Sequence, residues 1–222
     1  MKQCELIKNE SLSFTFAARE NWPKCTNFCE NSIFISCWAH DPTDALNEKA
    51  RIKSEVVFQT LLSVANTTAC YNGSDCVTFE YDVGQVATPC DRFKNTGVLS
   101  GGPYGQDDFY FDYTMPIYAH HHIEFTTLIP CDQLKTVATF FGNSCPSNTF
   151  TDHASEKVES ISSYGVGQTR CDAIKKEIFT YCSVIADFNI YEHFLTYGSG
   201  VYRHLTGTAE GHHAIKCIGW GV

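Results

Sequence analysis

Two residues of the chain have the type and the surroundings needed for nucleophilic catalysis. Cys37 lies in the stretch SCWAHDP, directly before a helix-like pattern. A cysteine attacks a carbonyl only as its thiolate, which a helix N-terminus and a neighbouring imidazole both favour. His213 lies in GHHAIKCIGWG, where His213, Ile215 and Cys217 alternate with small or polar residues and so predict a strand. A cysteine before a helix and a histidine on a distant strand are the layout of a cysteine–histidine dyad, but among 12 cysteines and 9 histidines a chance pair is the alternative on spacing alone.

The elements that must position these residues follow from the hydrophobic pattern. Apolar side chains at loosely helical spacing predict a helix over residues 41–65, with Pro42 near its start. The stretch CDAIKKEIFTYC predicts a second helix over residues 171–182. Residues 67–124 lack lasting periodicity and are predicted as loops held by cross-links, whereas the aromatic and β-branched residues from 183 onward predict strands. Helices in the first half and strands in the second predict an α+β protein.

Size and charge restrict the classes of partner. A chain of 222 residues with 43% hydrophobic residues fits one large domain or two closely packed lobes. The net charge is -9, since only 16 Lys and Arg face 25 Asp and Glu, so no nucleic-acid partner is expected. No run of apolar residues is long enough for a membrane span, and the N-terminus has no apolar signal region. If the chain enters the secretory pathway, we therefore expect an N-terminal extension that is not present in this chain.

The cysteine count indicates an oxidising compartment. Twelve cysteines are many for a cytosolic protein and predict a normal core with added disulfides. Triplets of the N-glycosylation type begin at Asn9, Asn66 and Asn72, which agrees with a secreted glycoprotein. Both features predict passage through the secretory pathway.

Five sequence words occur in an order and spacing typical of one enzyme family. They are SFTFAARENWPKC, SCWA, GVLSGGPYG, PIYAHHH and FNIYEHFLTYGSGVYRHLTGTAEGHHAIKCIGWG. The chain resembles the cathepsin B-like members of the papain family of cysteine peptidases over most of residues 13–221, most strongly from Phe188 onward. The resemblance implies a papain-like fold with a helical lobe, a β-barrel-like lobe and an active cleft between them.

The resemblance also assigns roles to site residues. Cys37 matches the nucleophile, and His213, rather than His212, matches the general base. The implied reaction is hydrolysis of peptide or protein substrates through a thioester, without metal or cofactor. The oxyanion donors would be the backbone N–H of Cys37 and the side chain of Asn31, where the family has a glutamine. Because asparagine is one methylene shorter, its amide falls short of the oxyanion unless the loop moves.

A histidine run matches a loop that partly blocks the cleft in cathepsin B. His120 and His121 match the pair that holds the C-terminal carboxylate of a substrate, which implies removal of dipeptides from chain ends in mild acid. A solvated histidine cluster is the alternative. A metal site that includes His122 is not expected, because three neighbours on an extended segment cannot all face one ion.

The resemblance divides the chain into two lobes. A peptidase domain is expected over residues 13–222, with a helical lobe over approximately 13–115 and the histidine loop and β lobe over 116–222. The second lobe is expected to be incomplete, and no residue matches the asparagine that orients the base in the family. The family implies a lysosomal or extracellular localisation, with a signal and pro-segment that are not present in this chain, whereas the oligomeric state stays open.

Several departures from the family pattern fall close to Cys37. Phe34 and Ile35 replace a disulfide cysteine and a glycine, and Pro42 lies inside the expected central helix. If the helix begins after Pro42, Cys37 loses the helix dipole. A second hypothesis is therefore a catalytically impaired homologue that acts as a binding or structural secreted glycoprotein, or a non-functional fragment.

Some family disulfides cannot form in this sequence. Local pairs are an alternative, Cys25 with Cys29 and Cys70 with Cys76. If Cys37 is a thiol, 11 of the 12 sulfurs remain and at least one more is unpaired. We expect Cys217, within the apolar strand HAIKCIGW, to be a buried free thiol.

Overall fold

The computed structural model describes residues 12–24, 37–69, 86–102, 158–166 and 171–221. The helices of these ranges are α1 (Ala18–Asn21), α2 (Cys37–Lys53), α3 (Val64–Ala69), α4 (Ala87–Asn95) and α5 (Cys171–Tyr181). The strands are β1 (Phe16–Ala17), β2 (Val184–Tyr191), β3 (Ala209–Cys217) and β4 (Gly219–Trp220), and a 3₁₀ helix, Glu192–Thr196, follows β2. The main helices precede a β hairpin, which confirms the predicted α+β class. None of the described helices is both long and apolar enough to cross a membrane.

The central helix α2 begins earlier and ends earlier than predicted. It runs from Cys37 to Lys53 rather than from residue 41 to 65. Ser54 ends it, because its hydroxyl donates to the Arg51 carbonyl at 3.1 Å and accepts the Phe58 N–H at 2.9 Å. Val56 then adopts a φ of 70°, which reverses the chain direction. The apolar pattern beyond residue 54 therefore belongs to a turn and to the separate helix α3.

Pro42 lies inside α2 and does not delay its start. The helix includes Cys37 even though Pro42 cannot donate a hydrogen bond to the carbonyl of Trp38. The next residue, Thr43, donates its hydroxyl hydrogen bond to the Ala39 carbonyl at 2.7 Å and lies 2.8 Å from the Thr67 hydroxyl of α3. The alternative in which Cys37 precedes the helix is thus wrong, and Cys37 keeps its place in the first turn.

Residues 67–124 were predicted as loops, and this is wrong for α4. Helix α4 packs Phe93 against Leu62 and Val98 in a small apolar core. Short bridges join Leu62 to Ser100 and Val98 to Val158 beside this core. The prediction failed because α4 spans little more than two turns and contains Pro89, so it shows little helical periodicity.

One predicted glycosylation triplet begins within this region. Asn66 is buried, and its side-chain oxygen accepts the backbone N–H of Leu99 at 3.3 Å and an Arg92 guanidinium N–H at 3.4 Å. A glycan needs an exposed asparagine amide, so Asn66 of the folded chain is not an accessible acceptor. Asn9 and Asn72 lie outside the described residues.

The strands form two antiparallel pairs: the β2–β3 hairpin, and a short pairing of the N-terminal strand β1 with the C-terminal strand β4. Strands β2 and β3 are antiparallel, with register pairs from Val184↔Cys217 to Asn189↔His212. Strands β1 and β4 pair Phe16 with Trp220, whose rings stack at 4.8 Å. Gly219 is required in β4, because a Cβ there would lie 2.4 Å from the Phe16 carbonyl oxygen. These contacts confirm the strands predicted from the aromatic and β-branched pattern.

Helix α2 packs across β3 through a buried ion pair. The Lys216 Nζ of β3 lies 2.8 Å from Glu48 Oε1, and their side chains are only 5% and 2% exposed. Asp44 Oδ2 lies 3.9 Å from the same Nζ. The Cys182 thiol, just after α5, donates to Glu48 Oε2 at 3.6 Å. A single carboxylate of α2 therefore contacts both the strand β3 and the end of α5.

We expect Glu48→Ala to reduce the free energy of unfolding by about 3–5 kcal/mol, because it leaves the Lys216 ammonium buried beside a cavity. Lys49→Met is the control, since Lys49 lies 3.4 Å from Glu177 Oε1 with 34% of its side chain exposed. This pair lies nearer the surface than the Glu48 and Lys216 pair, and near-surface pairs of this kind contribute about 1 kcal/mol or less. Urea unfolding followed by circular dichroism measures both values. Equal losses in the two variants would contradict a structural role for the buried pair.

Candidate active site

Cys37 occupies the contact between the start of α2 and the strand β3. Its side chain is 1% exposed, and its Sγ accepts the backbone N–H of Ala214 at 3.3 Å. These two residues are 177 positions apart in the sequence. The fold thus places the predicted nucleophile directly against the strand that carries the predicted base.

His213 immediately precedes the residue that contacts Cys37. Consecutive Cα atoms are about 3.8 Å apart, so the backbone of His213 lies beside the Cys37 thiol. Its Nδ1 atom is buried, and its ring lies at 6.0 Å from the Phe188 ring in an edge-on orientation. Phe188 is the register partner of His213 on β2. The thiol of Cys37 therefore lies next to the backbone of the strand segment that contains His213.

The neighbouring His212 has a different environment. It is 62% exposed and its Nδ1 lies 3.6 Å from Asp187 Oδ2. Because side chains alternate along a strand, His212 and His213 lie on opposite faces of β3. The role of His213 rather than His212 as the base stays a prediction.

An aromatic cluster supports the Phe188 ring that contacts His213. Phe194 packs on Phe188 at 5.2 Å and on Tyr202 at 4.8 Å, both at steep angles. The Tyr202 hydroxyl lies 3.1 Å from His193 Nδ1, and the two rings stack at 4.9 Å. The sequence indicated aromatic strands here but not this cluster, because its members come from β2, the 3₁₀ helix and the turn that follows.

Burial works against ionisation of the Cys37 thiol. Burial raises its pKa, the Ala214 N–H lowers the pKa by donating to the sulfur, and the nearby Asp41 charge raises the pKa again. A thiolate at this position therefore needs a cationic partner. A protonated imidazole at His213 would be such a partner.

Two ionisable residues follow Cys37 in the first turns of α2, and the sequence interpretation did not assign them a role. Burial lowers the pKa of His40 from 6.5 to about 4. Burial raises the pKa of Asp41 from 3.8 to about 6, and the Lys216 ammonium limits this rise. The signal that could have identified them is a histidine and an aspartate in the buried first turns of a helix, directly after CWA.

The remaining cysteines of the described ranges are consistent with a mixture of thiol environments. Cys90, Cys171 and Cys217 are free thiols, as is Cys37, and Cys171 is exposed. Cys217 is half-buried, and burial together with the Asp41 charge raises its pKa. The predicted free thiol is confirmed, whereas its predicted full burial is wrong, because Cys217 lies close to the end of β3.

The other predicted site residues lie outside the described residues. These are the oxyanion-hole candidate Asn31 and the carboxylate-binding candidates His120 and His121. The same holds for the proposed cysteine pairs, Cys25 with Cys29 and Cys70 with Cys76. Within the described ranges, no group of three or more His, Cys, Asp or Glu side chains is placed to hold a metal ion.

Comparison with known proteins links this site to a family. A family profile described as "Papain family cysteine protease" matches residues 15–222. Cathepsin B-like cysteine proteinase 6 of Caenorhabditis elegans is 30% identical over 213 residues, which cover 94% of this chain and 55% of the relative. A cathepsin B-like cysteine proteinase of Schistosoma japonicum is 29% identical over 219 residues, covering 96% and 62%. The chain thus spans little more than half the length of these relatives.

A solved structure shares the fold. Procathepsin B S9 from Trypanosoma congolense superposes with a TM-score of 0.71 at 20% identity. The match covers 100% of this chain and 66% of that one. It confirms the papain-like α+β fold predicted from the sequence.

We expect the His40→Phe variant to lose less free energy of unfolding than the parent chain when the pH falls from 6.5 to 4. Between pH 4 and 6.5 the unfolded chain protonates His40 whereas the folded chain keeps it neutral, so this residue lowers the free energy of unfolding as the pH falls through that window. The contribution lost at pH 4 is ~3 kcal/mol, because one pKa unit corresponds to about 1.4 kcal/mol. Asp41 acts in the opposite direction, since its folded pKa is raised. Urea unfolding at a series of pH values measures the difference between variant and parent.

The control for this measurement is His212→Phe, which alters a largely exposed histidine. Its stability relative to the parent chain should stay nearly constant from pH 4 to 7. A constant difference for His40→Phe over the same range would show that His40 titrates in the folded chain as it does in the unfolded one.

Proposed function

Since the chain belongs to the papain family of cysteine proteases, we propose that it hydrolyses peptide bonds with Cys37 as nucleophile and His213 as general acid and base. The observation that carries this proposal is the 3.3 Å contact between Cys37 Sγ and the backbone N–H of Ala214. It supports the proposal because Ala214 directly follows His213 on β3. Peptide or protein substrates follow from the family.

The proposed reaction proceeds in two steps. The Cys37 thiolate attacks the peptide carbonyl, and His213 donates a proton to the leaving amine. Water, deprotonated by His213, then hydrolyses the thioester and regenerates the thiol. The backbone N–H of Cys37 and the side-chain amide of Asn31 are the proposed oxyanion donors. Because burial raises the pKa of the Cys37 thiol, formation of the thiolate depends on transfer of its proton to the imidazole.

A second candidate is a homologue whose dyad is impaired and which acts as a binding or structural secreted glycoprotein. The observation that favours it is the burial of Cys37, whose side chain is 1% exposed. A substrate carbonyl must reach the sulfur, so a buried thiol requires some rearrangement before attack. The labelling experiment below separates the two candidates.

We also propose a lysosomal or extracellular location, which agrees with the cysteine content. Asn9 and Asn72 are the remaining candidate glycosylation sites. The peptidase domain is proposed to extend over residues 13–222, divided near residue 115 into a helical lobe and a β lobe. Disulfides are proposed among the cysteines outside the described ranges.

We expect an epoxide-type thiol-protease probe to label Cys37 selectively. His213→Ala should slow this labelling about 100-fold or more, because loss of a general acid–base group typically costs 10²–10⁴-fold. The matched control is His212→Ala, which removes the adjacent exposed imidazole and should leave the rate within about twofold of the parent. Mass spectrometry of the labelled peptides identifies the site. Equal labelling of several cysteines, or none, supports the second candidate.

We also propose that His120 and His121 bind the C-terminal carboxylate of the substrate, as the resemblance to cathepsin B implies. His120→Ala and His121→Ala should each slow release of dipeptides from a peptide with a free C-terminus by about tenfold, the loss of one charge-assisted contact. Cleavage of the same peptide with an amidated C-terminus is the control and should change little. Chromatography of the products measures both rates. A similar loss with both substrates would contradict carboxylate binding.

A further inference from the structure

One face of α2 places an aspartate directly beside the candidate nucleophile. Cys37, Asp41, Asp44 and Glu48 are separated by four, three and four residues, so they lie in one row along the helix. This row faces β3, because Cys37 Sγ contacts the Ala214 N–H and Glu48 contacts the Lys216 ammonium. Residues at i and i+4 of a helix have Cβ atoms about 5–6 Å apart. Asp41 is therefore the acidic residue of the row that is nearest to Cys37.

The carboxyl group of Asp41 is poorly solvated. Its Oδ2 atom is buried and accepts no hydrogen bond from any residue in the described part of the chain. The cation that acts on it is Lys216, which is already 2.8 Å from Glu48 and 3.9 Å from Asp44. One ammonium thus serves three carboxyl groups of the same helix face. A negative charge on Asp41 is only partly balanced and acts on the adjacent sulfur through a medium of low polarity.

We propose that the ionised carboxylate of Asp41 suppresses formation of the Cys37 thiolate and that protonation of Asp41 removes this suppression. Asp41 is then a positioning residue, because it acts by changing the fraction of Cys37 that is present as thiolate. The inference concerns the same thiol as the proposed peptidase function, yet thiol reactivity can be measured whether or not the chain cleaves peptides.

Other charged and titratable groups surround this pair. From α2, His40 is uncharged above about pH 4, because burial lowers its pKa. From β2, the Asp187 charge also raises the pKa of Cys37, but Asp187 is half-exposed and lies 3.6 Å from His212, so solvent screens it. In the described part of the chain, Lys216 and Cys217 of β3 interact electrostatically with Asp41. Asp44 and Glu48 of α2 lie beside Lys216, and His213 precedes the residue that contacts Cys37. The pKa of Asp41 near 6 therefore places its change of charge between neutral and mildly acidic pH.

The test compares alkylation rates of Cys37 in the parent chain and in Asp41→Asn. Iodoacetamide is applied at pH values from 5 to 8, and mass spectrometry quantifies the modified Cys37 peptide. Near pH 5 the two rates should agree, because Asp41 of the parent is protonated. By pH 7.5 the variant should react roughly tenfold faster, because a like charge one helical turn away typically raises a thiol pKa by about a unit. A rate ratio that does not change with pH would overturn the proposal.

The matched control is Asp44→Asn, which also removes a carboxylate beside Lys216 but lies seven residues from Cys37. Its rate ratio for Cys37 should stay near one at every pH. The exposed thiol of Cys171 is the internal reference and should react equally in all variants. If Asp44→Asn reproduces the effect of Asp41→Asn, the Lys216 network rather than the Asp41 charge controls the thiol, and the proposal is overturned.

The parent chain alone provides a second measurement that does not depend on the folding of a variant. The logarithm of its Cys37 alkylation rate should rise with pH below 6 and then rise less steeply as Asp41 ionises. Asp41→Ser, the second neutral variant, should lose this change of slope. A constant slope of the parent from pH 5 to 8 would overturn the proposal.

Discussion

The burial of Glu48 against Lys216 is the interaction on which the rest of the structure depends. A charged pair at 2.8 Å with almost no solvent contact is tolerated only when the helix and strand that carry it are held in one register. A shift of β3 by one residue would turn Lys216 to the opposite face and leave Glu48 without its cation. The same shift would remove the Ala214 N–H from Cys37. The register that satisfies the charge therefore also sets the position of His213 relative to the thiol.

The first turns of α2 show how burial changes the ionisation of the polar side chains beside Cys37. His40 and Asp41 are half-buried. Burial lowers the pKa of His40 and raises the pKa of Asp41, so it favours the neutral form of both side chains. Their effects on stability have opposite signs between pH 4 and 6, so they partly cancel in the folded chain. Titration of these two groups beside Cys37 therefore changes the free energy of unfolding of the whole chain only a little in mild acid.

The fold class could be predicted from the sequence, whereas the roles of Cys37 and His213 stay predictions. The structure adds that Cys37 Sγ contacts the backbone N–H of Ala214, the residue that follows His213. The boundaries of α2 were not predictable from apolar spacing, because the Ser54 hydroxyl replaces helical hydrogen bonds and ends the helix. Helix α4 was missed because a short helix with Pro89 has little periodicity. The buried role of Asn66 was also hidden, since hydrogen bonds to Leu99 and Arg92 arise only in the tertiary structure.

The separation of 177 residues between Cys37 and Ala214 has a consequence during synthesis. At about 5–20 residues per second, roughly 10–35 s pass between translation of the cysteine and of its strand. During that interval the acidic row of α2 has no lysine beside it, and the sulfur has no amide contact. The nascent thiol is then an ordinary solvated side chain. Cellular oxidants and disulfide-exchange partners can react with this thiol before the folded environment exists. Cys37 therefore has to remain a reduced thiol until the β2–β3 hairpin has been synthesised.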